Sequence, residues 1–194
     1  MKMKIKEIEA IVRENIEKRE AEIGREFNQK EKAIAILCEQ LKIMEFDPGY
    51  SWGIRNSGEI HKETIEKLKE KDVGEIEVDK QATCKILSIV YKYIADNYGQ
   101  NVYFIGKEYR CEDMYYMKIS ELQASSIDEH IYTIVKIPQG ELKIDVQDEA
   151  QAIKIKAKPR NLGERQMSGY MFTQEQDELY PILKTIGYIK ENEE

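Results

Sequence analysis

An α+β fold with an antiparallel sheet is predicted by three features of this 194-residue chain. Apolar residues recur at helical steps in its first part, β-rich segments crowd its second half, and Pro138-Gln-Gly140 joins two of those segments as a hairpin loop. Helices first and strands afterwards place the helices on one side of an antiparallel sheet. With 41% hydrophobic residues the chain can bury one sizeable core, and it falls short of two full domains.

Taken in order, Ile5, Ile8, Val12 and Ile16, then Ala33, Ile34, Leu37 and Leu41, mark two amphipathic helices. Gly24 and the polar run Asn28-Gln29-Lys30 separate them. The stretch 46–53, Phe-Asp-Pro-Gly-Tyr-Ser-Trp-Gly, is dense in turn formers and aromatics and predicts an ordered loop, after which Ser57 caps a charged helix over 58–71. Residues 75–79 alternate as a short extended piece. Thr83 then caps a helix carrying Ile86, Leu87, Val90, Tyr93 and Ile94, which ends near Gly99. Beyond it, 101–105, 114–119, 130–137, 141–146 and 152–157 read as strands. An irregular tail over 160–172 and a closing helix over 173–186 complete the chain.

Charge excludes one class of partner. The formal net charge is −7, and the charged 35% mixes both signs along almost the whole length, so there is no basic footprint for nucleic acid. The basic start, Met1-Lys-Met-Lys-Ile-Lys, lacks the apolar core of a signal peptide, and no stretch reaches membrane-spanning length. The expectation is a cytoplasmic protein without a membrane partner, export lacking a cleaved signal being the alternative. Cys38, Cys84 and Cys111 are odd in number and form no Cys-x-x-Cys pair, which fits a reducing compartment and no zinc site. No cofactor is implied.

A cysteine attacks a carbonyl as its thiolate, which a helix N-terminus and a neighbouring imidazole favour. Cys84 falls in the first turn of its helix. The base must be held in one tautomer, which a histidine opening a strand achieves when a hairpin returns a carboxylate to it. His130 and Asp145 have that arrangement. Asp148 is the rival carboxylate, but Leu142 and Ile144 alternate with Lys143 and Asp145, keeping Asp145 in register at a strand end.

The order helix-Cys84, strand-His130, hairpin, strand-Asp145 resembles the transglutaminase-like superfamily of papain-like cysteine enzymes. The similarity rests on Cys84-Lys-Ile-Leu-Ser-Ile-Val-Tyr, Gly99-Gln-Asn-Val-Tyr-Phe-Ile-Gly106, His130-Ile-Tyr-Thr-Ile-Val, and Gly140-Glu-Leu-Lys-Ile-Asp145, and covers residues 30–151. Tyr132 stands where the family often has tryptophan, and Thr83 where it has glycine or an aromatic residue. The resemblance implies a papain-like catalytic domain over 31–194 with 1–30 as a helical extension, and an antiparallel sheet packed on the nucleophile helix. It further implies acyl transfer from a peptide or protein glutamine through a thioester, resolved by water or an amine. The Cys84 N–H is one oxyanion donor; Gln81 is the first candidate for the second, ahead of Tyr50 and Trp52. A catalytically inactive interaction module and a true transglutaminase are the alternatives.

Other reactive side chains have plainer readings. His61 sits on the solvated face of a charged helix, Cys38 among core residues of an apolar one, and Cys111 in a loop between strands.

Overall fold

Residues 2–46, 72–105, 110–111, 131–146 and 181–188 are described in the computed structural model. Strand β1 (Lys2–Lys4) leads directly into helix α1 (Ile5–Ile23). Three or four residues apart, Ile5, Ile8, Val12 and Ile16 lie on one stripe of α1 and are buried together. The helix ends at Gly24, whose φ of +80° suits a residue without Cβ and turns its N–H back to the Glu20 carbonyl at 2.8 Å. Asn28 then opens α2 (Gln29–Ile43): its Oδ1 accepts the Glu31 N–H at 3.0 Å, while the Glu31 carboxylate accepts the Asn28 N–H at 2.9 Å. This reciprocal cap satisfies two donors at the chain entry. The break expected at Gly24 and 28–30 is therefore a pair of helix caps.

Short elements follow: β2 (Glu45–Phe46), a 3-10 turn (Val73–Glu75), β3 (Glu77–Asp79) and β4 (Gln81–Ala82). β1 pairs antiparallel with β3, and β2 pairs parallel with β4. The parallel pair departs from a wholly antiparallel expectation; the long connection between residues 46 and 81 gives the chain room to re-enter in the same direction.

Helix α3 (Cys84–Asn97) is buried on almost every side, from Lys85 through Lys92 and again at Ile94 and Ala95. It packs against α1 and α2 and also against the main sheet, and all of them contribute to one apolar core. Such all-round burial marks a central helix. Gln40 on α2 is fully buried and donates its amide to the Leu87 carbonyl at 2.9 Å, and the Tyr91 hydroxyl donates to the Ala33 carbonyl at 3.0 Å. These two bonds fix α2 on α3.

The main sheet has the order β6-β5-β7-β8, with β5 (Asn101–Ile105), β6 (Arg110–Cys111), β7 (Tyr132–Ile137) and β8 (Gly140–Ile144) all antiparallel. Val102 faces Val135, Phe104 faces Thr133, Val135 faces Leu142 and Thr133 faces Ile144. All are buried, so alternation along the strands gives one continuous core face. Pro138 and Gln139 form the hairpin loop, and Gly140, φ +134°, is already the first residue of β8. Cys111, expected in a loop, lies in β6, paired with Phe104.

The aromatic loop after Phe46, the helix over 58–71, the strands over 114–119 and 152–157, the tail over 160–172 and the first part of the closing helix lie outside the described residues. The last part of that helix is observed: 181–185 is helical. It docks through Tyr188, whose hydroxyl donates to Glu39 at 2.6 Å and whose ring lies 4.0 Å below the Arg19 guanidinium. Arg19 also donates to the Gly187 carbonyl at 2.7 Å. No helix among the described residues is long and apolar enough to cross a membrane.

Candidate functional site

Cys84 is the first residue of α3, with Thr83 as its N-cap in extended conformation (φ −84°, ψ 168°). The thiol is free and half-buried. At this position its N–H is one of the donors that a helix leaves unpaired at its start, and the positive end of the helix dipole lies at this first turn. Thr83 does not close this end: its hydroxyl makes no capping bond, and Oγ1 is buried without a hydrogen-bond partner among the described residues.

The chain path brings three elements to one end of the sheet. From α3 the chain turns at Gly99, φ +71°, and enters β5 at Asn101, so β5 runs back and its last residues lie toward the start of the helix. β7 is antiparallel to β5, with Tyr132 opposite Ile105, so β7 begins at that same end. β8 is antiparallel to β7 and finishes there, with Ile144 opposite Thr133. A direct bond marks the convergence: the buried Ser88 hydroxyl, one turn after Cys84, donates to the Ile131 carbonyl at 3.2 Å.

Asp145 follows Ile144 directly and is fully buried. The strand was expected to run to Val146; it stops at Ile144, and Val146 is already helical, so Asp145 stands just outside the ladder. Beside it, the Thr133 hydroxyl donates to the Ile144 carbonyl at 2.9 Å and pins the end of β8 to β7. Burial of a carboxylate at a strand end is costly unless it is compensated, and Asp145 does have a polar or electrostatic interaction there. His130, His61, Asp148, Tyr50 and Trp52 lie outside the described residues; the residue that follows His130, Ile131, is buried in the core.

Gln81 lies on β4, exposed, three residues before the thiol and paired with Glu45. Cys38 is half-buried on α2 and packs against the core, as expected for a structural cysteine. Sequence reasoning missed Ser88 and the open Thr83 hydroxyl. Ser88 carried a signal: it is a polar residue at i+4 from Cys84 within an otherwise apolar helix.

Among the described residues no group of histidine, cysteine or carboxylate side chains could hold a metal ion. No family model matches the chain, and no curated protein or solved structure matches it.

Proposed function

We propose that the chain is a cysteine-dependent acyl-transfer enzyme of transglutaminase-like type, hydrolysing a peptide or glutamine amide bond. The observation that carries it is the convergence of the α3 start, bearing Cys84, with the start of β7 and the end of β8, where Asp145 is buried. His130 is one peptide bond from Ile131. Extended by one residue, the β7–β8 register sets Asp145 level with Tyr132, two positions after His130 in the sequence.

In this reaction His130 takes the Cys84 proton and the sulfur adds to the carbonyl carbon. The oxyanion meets the Cys84 N–H, with Gln81 as the second donor. Collapse breaks the C–N bond, and the imidazolium gives its proton to the departing amine or ammonia, leaving a thioester. Water, losing a proton to His130, then adds to the thioester and releases the acid and the thiol. Asp145 orients the imidazole throughout. The partner is thus a protein or peptide substrate.

Iodoacetamide alkylation, followed site by site by mass spectrometry, tests the pairing. Cys84 is expected to react at least about tenfold faster than Cys38 near neutral pH, and His130→Ala to remove most of that advantage. Equal rates at the two cysteines in the wild-type protein refute the reading.

A further inference from the structure

A threonine at an N-cap ordinarily accepts the N–H of the residue two or three positions on, here Lys85 or Ile86. Thr83 makes no such bond, and its Oγ1 is buried without a hydrogen-bond partner among the described residues. The α3 ladder opens with the Leu87 N–H donating to the Thr83 carbonyl at 2.9 Å, so the N–H groups of Cys84, Lys85 and Ile86 all precede it. A buried hydroxyl in this state destabilises the fold, and valine fills the same space without it. Packing therefore gives no reason for the polar group, and its use lies in what reaches this helix end.

Burial shows where the end opens. Thr83 is 7% exposed, Lys85 8% and Ile86 9%, whereas Cys84 between them is half-buried. A molecule arriving here meets the sulfur. The covalent path Oγ1–Cβ–Cα–C–N keeps the Thr83 hydroxyl close to the Cys84 nitrogen, and the hydroxyl hydrogen rotates toward whatever acceptor arrives. Gln81, by contrast, is exposed on β4.

We propose that the Thr83 hydroxyl is a further donor to the oxyanion formed at Cys84, beside the Cys84 N–H. This rests on Cys84 being the nucleophile proposed above, whichever base serves it. As the C–S bond forms, the carbonyl π pair moves onto oxygen, which accepts the Thr83 O–H and the Cys84 N–H as hydrogen bonds and takes no proton. When the C=O bond reforms, the leaving group departs with its bonding pair and the hydroxyl is open again. Because the hydroxyl has no bond to give up beforehand, its interaction belongs to the transition state alone.

The test sets two reactions of Cys84 in the full chain side by side near neutral pH, each read site by site by mass spectrometry. Acetylation by p-nitrophenyl acetate passes through an oxyanion, and its phenolate leaves without needing a proton. Iodoacetamide alkylation is a displacement at a saturated carbon and forms no oxyanion. Thr83→Val is expected to slow acetylation roughly 10–100-fold while alkylation stays within about twofold, and Thr83→Ser to keep both rates. The Tm of Thr83→Val should be unchanged or higher, since a partnerless buried hydroxyl is removed. Unchanged acetylation in Thr83→Val, or an equal fall in both reactions, overturns the role of Thr83 and leaves Cys84 as nucleophile. A lower Tm in Thr83→Val overturns it too, since the hydroxyl then serves the fold. A wild-type Cys84 that is acetylated and alkylated no faster than Cys38 removes the nucleophile itself, and the role of Thr83 with it.

Discussion

Glu39→Gln is expected to destabilise the protein by about 3 kcal/mol. The Glu39 side chain is 1% exposed, and its two oxygens have different tasks. Oε1 accepts from the Lys42 ammonium at 2.7 Å and from the Tyr188 hydroxyl at 2.6 Å, while Oε2 accepts from the Asn15 amide at 3.1 Å. Glutamine has the same shape and a single oxygen. With that oxygen toward Lys42 and Tyr188, its amide faces the Asn15 amide, donor against donor; turned over, the amide faces the ammonium. In either pose one bond is lost and the others lose their charge assistance. A bond to a charged group contributes about 1.5–3 kcal/mol and a neutral one about 1 kcal/mol, so one loss and two weakenings come to about 2.5–7 kcal/mol. Lys42 is half exposed and can turn to water, which sets the expectation at the lower end. For a chain of this size that is a fall in Tm of about 6–12 °C, read by calorimetry and checked by urea denaturation. The same substitution in a Tyr188→Phe background should cost less, because the strongest neutral donor is already gone. A loss under about 0.5 kcal/mol, or equal losses in the two backgrounds, refutes the claim that this carboxylate ties α1, α2 and the C-terminal turn together.

Two further outcomes follow from the packing and the charges. The Arg25 guanidinium, bonded to both Glu31 oxygens at 2.7 and 2.6 Å, holds the Glu31 carboxyl below its ordinary 4.5, with the Asn28 N–H helping. A carboxyl lowered in the folded state stabilises it above the unfolded value and loses that contribution as pH falls through the folded one, so the Tm advantage of wild type over Arg25→Met should shrink from about pH 6 to pH 3; a constant gap counts against the pairing. At Gly74 an added Cβ meets the Tyr93 phenol, 3.0 Å from its Cζ, and lies 3.3 Å from the Lys6 Cβ. Gly74→Ala should therefore cost about 1–3 kcal/mol by urea denaturation and become neutral or stabilising when Tyr93 is also shortened to alanine; the same cost in both backgrounds rules out the clash as its cause.

Short-range signals were legible in the sequence wherever local chemistry decides the outcome. Gly24 and Asn28 marked the helix break because one relieves a left-handed residue and the other caps an N-terminus, and both effects act within a few residues. Cys84 at the head of α3 and the β7–β8 hairpin were readable for the same reason. The short strands β1 and β2 were not: their partners, Glu77–Asp79 and Gln81–Ala82, are distant in sequence, and two or three residues carry too little alternation to announce a strand.

What the sequence determined by itself, then, is the order of the longer described elements and the choice of Cys84, His130 and Asp145 as candidates, because periodicity, caps and turn residues act locally. Only the tertiary structure decided that the start of α3, the start of β7 and the end of β8 share one end of the sheet, that Asp145 is buried just beyond its strand, and that Ser88 reaches Ile131. The physical reason is that strand register and helix docking are set by which apolar faces can be buried together, and that choice is made between segments far apart in the chain.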